Sequence, residues 1–194
     1  MPLILGLDPG SRHTGYGLIR AGDRRAALVA SGRLSPSPAW ALPRRLLHLH
    51  EGLMKIMSEW PPEAVAVETL FTGRNIRSAV VLAQARGVLL LAAAQAGAEI
   101  FEYAPREVKN AVTGYGQAGK DQVAFMVGRL LDYHEPLAPD AADALAAALC
   151  HAHAGHTAHA GRADWARPGR GRGGWRGLSE EDLAALGRNR SRAC

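Results

Sequence analysis

Residues 3–11 read Leu3-Ile-Leu-Gly-Leu-Asp8-Pro-Gly-Ser11. An apolar run without alternation, stopped by an acid and a Pro-Gly turn, predicts a short buried strand with a carboxylate at its C-terminal end. Working outward, Thr14 to Arg20 and Ala26 to Leu34 read as further strands, with Gly22-Asp23 as a hairpin turn. Three strands in succession predict an antiparallel meander. Pro36 to Pro38 break the chain. Residues 40–58 then show helical periodicity, with Leu42, Leu46, Leu49, Leu53 and Ile56 on one stripe, until Pro61-Pro62 stop it. Ala64-Val-Ala-Val67 is a second buried strand, and it too ends on an acid, Glu68. Asn75 can cap a helix running to about Gln95, with Gly97 beyond its end. Glu99 to Tyr103 reads as another strand, and helices are expected over 105–112, 120–131 and 140–152. Strands first, then strands alternating with helices, predict a mixed α/β fold, a sheet with helices packed on it.

The 194 residues are 47% hydrophobic, enough for a real core, which excludes wholesale disorder. The net charge of +5 is uneven: residues 154–194 hold eight arginines and four acids, a net of +4, against 15 basic and 14 acidic side chains in 1–153. The division expected is a folded body, 1–153, and a basic Gly/Arg/His-rich tail, 154–194, largely disordered as in Gly169-Arg-Gly-Arg-Gly-Gly174. The exception is Ser179-Glu-Glu-Asp182, a capping-box pattern opening a short helix. Such a tail reads as a nucleic-acid arm or a solubilising extension. Cys150 and Cys194 make no disulfide framework, which points to a reducing compartment. The N-terminus lacks a basic n-region, and the longest uninterrupted apolar run, Val88 to Ala94, falls short of the roughly 20 residues of a membrane span. A soluble cytoplasmic protein with no membrane role is expected.

Two motifs are misleading. Gly114-Tyr-Gly-Gln-Ala-Gly-Lys120 fits both G-x-G-x-x-G and G-x-x-x-x-G-K, but each needs a preceding strand, and 105–112 reads as a helix. Asp121 also stands where a P-loop needs Ser or Thr for magnesium, so a mobile glycine-rich connection is expected. Cys150-His-Ala-His153 suggests zinc, but the spacing fits no zinc pattern, and His151 and His153 point apart on a helix.

Four acids stand where structure alone does not ask for them. Asp8 and Glu68 each end a buried strand. Asp140 and Asp143, three apart at a helix start, project from nearly one face. Asp140 taken alone reads as an N-cap, but capping accounts for neither Asp143 nor the strand-end acids. Converging, the four make a pocket whose like charges cannot all ionise without a counter-charge. A hard divalent cation with oxygen ligands supplies one, magnesium being the usual choice. Two such ions about 3.5–4 Å apart clamp the attacking and leaving oxygens of a phosphodiester. Without these acids the body holds 15 basic against 10 acidic side chains, a positive surface around a metal pocket that suits a nuclease.

Ile4-Leu-Gly-Leu-Asp-Pro-Gly-Ser-Arg-His-Thr-Gly-Tyr-Gly17 resembles the opening of the RuvC family of bacterial Holliday junction resolvases. Further matches follow in order: Val67-Glu-Thr-Leu-Phe71, Asn75, Gln84-Ala-Arg-Gly87, Phe101-Glu-Tyr-Ala104, Val108-Lys109 and Asp140-Ala-Ala-Asp-Ala-Leu145, over about residues 3–153. The resemblance implies an RNase H-like fold with a five-stranded mixed sheet, its first three strands antiparallel, and a homodimer. It implies that Asp8, Glu68, Asp140 and Asp143 are catalytic acids holding two Mg2+ ions, with Mn2+ as substitute. It implies that Lys109 and Lys120 lie near the cleaved strand and that Phe71 stacks on a base at the crossover; Arg74, Asn75 and Arg77, which follow it, read as phosphate contacts, Arg77 reading equally as a solvated helix residue. The activity implied is symmetric nicking of opposed strands of a four-way DNA junction, leaving 5′-phosphate and 3′-hydroxyl ends, in recombination and repair beside a branch-migration complex. The rivals are an RNase H-like nuclease acting on RNA or RNA–DNA hybrids, an actin-like ATPase fragment, for which 194 residues are too few, and a catalytically silent junction-binding module. Whether His151 or His153 assists the metal site is left open by the residues.

Overall fold

A computed structural model describes residues 1–22, 25–69 and 76–154. The strands are β1 (Leu3–Asp8), β2 (Thr14–Ala21), β3 (Ala26–Leu34), β4 (Ala64–Glu68) and β5 (Glu99–Tyr103). The helices are α1 (Leu42–Glu59), α2 (Ile76–Gln95), α3 (Pro105–Thr113), α4 (Lys120–Leu130) and α5 (Pro139–Ala154). One five-stranded sheet runs in the order β3-β2-β1-β4-β5. The first three strands pair antiparallel, while β1 with β4 and β4 with β5 pair parallel. This is the mixed sheet that the sequence and its family resemblance led us to expect. Of the hairpin turn, Gly22 N–H donates to Arg25 O at 3.1 Å; Asp23 lies outside the described residues, as do Asn75 and the tail after Ala154.

The pleat explains why β1 and β4 lack polar alternation: both faces of the sheet are covered. Leu5, Leu7, Val65 and Val67 face one way and pack with Leu49 and Leu53 of α1 and Leu89 of α2. Ile4, Ala64 and Ala66 face the other way and pack with Val108 of α3, Val127 of α4, and Leu145 and Leu149 of α5. Each fully buried leucine stabilises the fold by roughly 1.5–3 kcal/mol over exposure. α5 lies closest to the sheet. A Cβ on Gly6 would sit 1.8 Å from Ala144 O, and one on Gly15 would sit 1.9 Å from Asp140 O. Only glycine lets the helix backbone descend that far, and the small alanines from Ala141 to Ala148, nearly all buried, continue the contact.

Three expectations need correction or placement. α5 begins at Pro139, and Ala142 N–H donates to Ala138 O, so Asp140 lies in the first helical turn and is not the N-cap. The apolar run Val88 to Ala94 understates α2, a helix long and apolar enough by length and composition to cross a membrane, with a mean hydropathy of 1.5. Here it lies on the sheet: Ala85, Leu89, Ala92 and Ala93 are buried, and Arg86 pairs with Glu102 of β5 at 2.9 Å. Residues 114–119 join α3 to α4, with Gly114 at φ 73° as a left-handed C-cap and Gly119 as the next N-cap. A helix therefore stands where a phosphate-binding loop needs a strand.

Candidate active site

β1 and β4 are parallel neighbours, with Leu7 opposite Val67, so the next residues, Asp8 and Glu68, reach the same sheet edge side by side. Period-two alternation puts Asp8 on the face of Ile4 and Gly6, and Glu68 on the face of Ala64 and Ala66, the face that α5 covers. The first turns of α5 bring Asp143 over this edge. Asp8, Glu68 and Asp143 line one cavity of about 400 Å³, together with Lys109 of α3 and Lys120 at the start of α4. The connection that mimics a nucleotide loop thus delivers a lysine to the acidic edge.

The electrostatics follow from crowding. Burial pushes the Asp8 carboxyl up from 3.8 to about 7, reinforced by the charges of Asp143, Asp140 and Glu68 and opposed by Lys120. Glu68 is raised by burial and by Asp143, with Lys109 and Lys120 opposing. Lys120 is itself raised, first by the charge of Asp143 and then by its hydrogen bond, Nζ donating to Asp143 Oδ2 at 3.2 Å. Asp140 does not line the cavity. Its carboxylate meets Arg33 of β3, Nη1 to Oδ2 3.6 Å, although its charge still reaches Asp8. The helical spacing that makes Asp140 and Asp143 neighbours therefore gives them different cations.

In this conformation, among the described residues, no three His, Cys, Asp or Glu side chains close around a point as metal ligands do. The donor chemistry nevertheless fits a hard divalent cation. The set is all oxygen, and Asp8 and Glu68 make no ion pair among the described residues, so Lys109 and Lys120 offset their charge only from beyond ion-pair distance and both stay raised. Arg77 is exposed in the first turn of α2 and does not line the cavity; Phe71, Arg74 and Asn75 lie outside the described residues. His151 bonds Tyr103 Oη through Nδ1 at 2.7 Å and packs on Phe101, while His153 Nδ1 donates to Ala111 O at 3.1 Å. Neither histidine lines the acidic cavity. Arg33 escaped the sequence reading. Its only signal is strand register, which sets it opposite Gly15 and Gly15 opposite Asp8.

Comparison with known proteins decides the family. The family profile described as "Crossover junction endodeoxyribonuclease RuvC" matches residues 4–151. The chain belongs to the RuvC family. It is 48% identical over 153 residues to RuvC of Legionella pneumophila strain Philadelphia 1, covering 79% of this chain and 88% of that protein. Among solved structures, RuvC of Thermus thermophilus superposes with a TM-score of 0.73 at 35% identity, covering 80% of this chain and 96% of that one. The same protein in complex with a Holliday junction substrate gives a TM-score of 0.76 at 35% identity, over 81% and 96% of the two chains. RuvC proteins are endodeoxyribonucleases named for crossover junctions, so an actin-like ATPase fragment is set aside. The match spans β1 to α5 and leaves out the basic tail.

Proposed function

We propose that this chain resolves Holliday junctions, cutting phosphodiester bonds in opposed strands at the edge where β1 and β4 end. The observation that carries the reading is the juxtaposition of Asp8, Glu68 and Asp143 with Lys109 and Lys120 in one cavity. Asp8, Glu68, Asp140 and Asp143 are the residues that would hold the ions, Mg2+ with Mn2+ as substitute. Bound divalent ions there supply Lewis acidity and charge neutralisation for hydrolysis of a phosphodiester. The chain's own contribution is positioning. Strand register fixes Asp8 beside Glu68, and α5 fixes Asp143 above them. Lys109 and Lys120 admit the negatively charged backbone into a cavity walled by acids. Lys120, already bonded to Asp143, holds that carboxylate in place at the mouth.

Phe71, Arg74, Asn75 and Arg77 complete the proposed DNA surface. Chain connectivity supports this: Phe71 is three residues past Glu68 and its Cα can lie no more than about 11 Å from that of Glu68. Phe71 would stack on an unpaired base, and Arg74, Asn75 and Arg77 would hold phosphates. The working assembly is a homodimer. α2 exposes Ile76, Val80, Ala83, Gly87, Leu91 and Ala94 on one stripe, while its opposite face is buried in the fold. At Gly87 a Cβ would meet nothing within 4 Å, so a second copy of the helix can approach closely there. An isologous pair through this stripe has the two-fold symmetry of a four-way junction. We place residues 1–153 as the nuclease unit and 154–194 as an appended basic tail, working in the cytoplasm beside a branch-migration complex.

The test is cleavage of a synthetic mobile four-way junction, a matched duplex and an RNA–DNA hybrid, each with magnesium and with chelator. Paired, ligatable nicks in the junction alone, abolished by chelator, are expected. Preferential cleavage of the hybrid would overturn the assignment.

A further inference from the structure

Arg33 pairs with Asp140 but has no role in the chemistry proposed above, yet the fold aims it at the site. Asp8 pairs with Gly15, and Gly15 with Arg33, so the three residues form one row across β1, β2 and β3. The first turn of α5 rests on the middle of that row, because Gly15 leaves room for Asp140 O. Arg33 Nη1 consequently lies 3.6 Å from Asp140 Oδ2, with side chains 44% and 30% exposed. Asp143 is matched in the same way to Lys120 at 3.2 Å. Both acids of α5 carry a tethered cation, whereas the strand-end acids, Asp8 and Glu68, make no ion pair among the described residues.

We propose that Arg33 is the tethered counter-ion of Asp140, which a divalent cation must displace to use that carboxylate. Arg33 is thus a positioning residue that sets the cation affinity of the acidic cavity before DNA arrives. The proposal deepens the metal reading above and rests on it. A guanidinium stays protonated, so it cannot leave the acid by losing its charge; the exchange is displacement. A partly exposed ion pair is weak, so Arg33 moderates the entry of an ion and does not bar it. Once displaced, the guanidinium remains on β3 at the rim of the site, where a phosphate backbone can take it.

The experiment titrates the DNA-free, full-length protein with Mn2+ at low ionic strength and reads unbound Mn2+ by electron paramagnetic resonance. The proteins are the wild type, Arg33→Gln, Arg33→Lys and Asp8→Asn. Removing the competing charge in Arg33→Gln is expected to tighten Mn2+ binding roughly three- to tenfold. Arg33→Lys should stay near wild type. The gain should shrink in molar salt, where the screening length falls to ~3 Å. Asp8→Asn should weaken binding, which locates the ion among the acids. If Asp8→Asn weakens binding while Arg33→Gln matches the wild type or binds more weakly, the proposal falls and the metal reading survives. If Asp8→Asn leaves Mn2+ affinity unchanged, the metal reading falls and takes the proposal with it.

Discussion

Replacing Asp8 by asparagine should make the metal-free protein more stable while destroying its activity. Asp8 is held near 7 in the fold against 3.8 ordinarily, because ionising it means charging a buried group facing Asp143, Asp140 and Glu68. A group raised in this way contributes stability that is fully present below the unfolded value, and that stability is lost as pH rises through the folded value. At about 1.4 kcal/mol per pH unit, the ceiling on the loss is about 4 kcal/mol above pH 7, and water reaching the cavity lowers it to ~2–4 kcal/mol. Asparagine has nearly the same shape and never carries the charge. In chelator at pH 8, Asp8→Asn should therefore melt roughly 5–10 °C above the wild type, taking about 2–4 °C per kcal/mol for a chain of this size. The gap should narrow as pH falls from 7 toward 4, where the folded wild-type carboxyl is neutral and the unfolded one is beginning to take up its proton. Added magnesium should close it from the other side, stabilising the wild type more than the variant. The assay is thermal unfolding by circular dichroism across pH 4–8, with and without chelator, alongside junction binding and cleavage. Junction binding should persist and cleavage should vanish. A variant that melts below the wild type at pH 8 in chelator, or that loses junction affinity, would show that the acid is structural and refute the reasoning.

Gly15→Ala places a Cβ against Asp140 O and must lift the first turn of α5; a cost of ~1–3 kcal/mol or more is expected in chemical denaturation, with cleavage lost through displaced Asp140 and Asp143. Lys120→Ala should slow single-turnover junction cleavage, and calorimetry should find no micromolar ATP binding to the wild type, since 114–119 links two helices. Burial holds the His151 imidazole below its ordinary value, against the opposing charge of Glu99, so the unfolded chain takes up that proton first. Stability from this residue is present above about pH 6.5 and is lost as pH falls below it; the melting temperature of the wild type relative to His151→Asn should drop between pH 7 and 5. Leu91→Glu, on the exposed stripe of α2, should shift sedimentation from dimer to monomer while the far-UV spectrum stays that of the folded chain.

β1 and β4 were legible because burial on both faces writes a short apolar run, and each of the two runs stops at the acid it delivers. Asp8 and Glu68 could be singled out on that ground alone. Their adjacency could not, since it depends on β4 pairing with β1 across a gap filled by two strands and a helix. Asp140 misled because an acid near a helix start looks like a cap whether or not it is one. The choice was made two residues earlier, where Ala138 O accepts the first helical bond, and nothing in the side chains announces it. Arg33 left no local trace at all. Its place is fixed only after two registers, Asp8 to Gly15 and Gly15 to Arg33, are both known.

The glycines tie these cases together. Gly6 and Gly15 face α5, and in a strand without turn geometry a glycine weakens the local structure. Here the loss brings the helix backbone down onto the sheet, its carbonyl oxygens 1.8–1.9 Å from where Cβ atoms would stand, well inside van der Waals contact. An α5 held farther away would still bury its alanines, but Asp143 would no longer share a cavity with Asp8 and Glu68, which the strand ends hold fixed. The sheet therefore places two carboxylates by register, and the missing side chains place the others by depth. That division explains why a charge change at Asp8 should spare the fold, whereas a single methyl at Gly15 should cost both fold and activity.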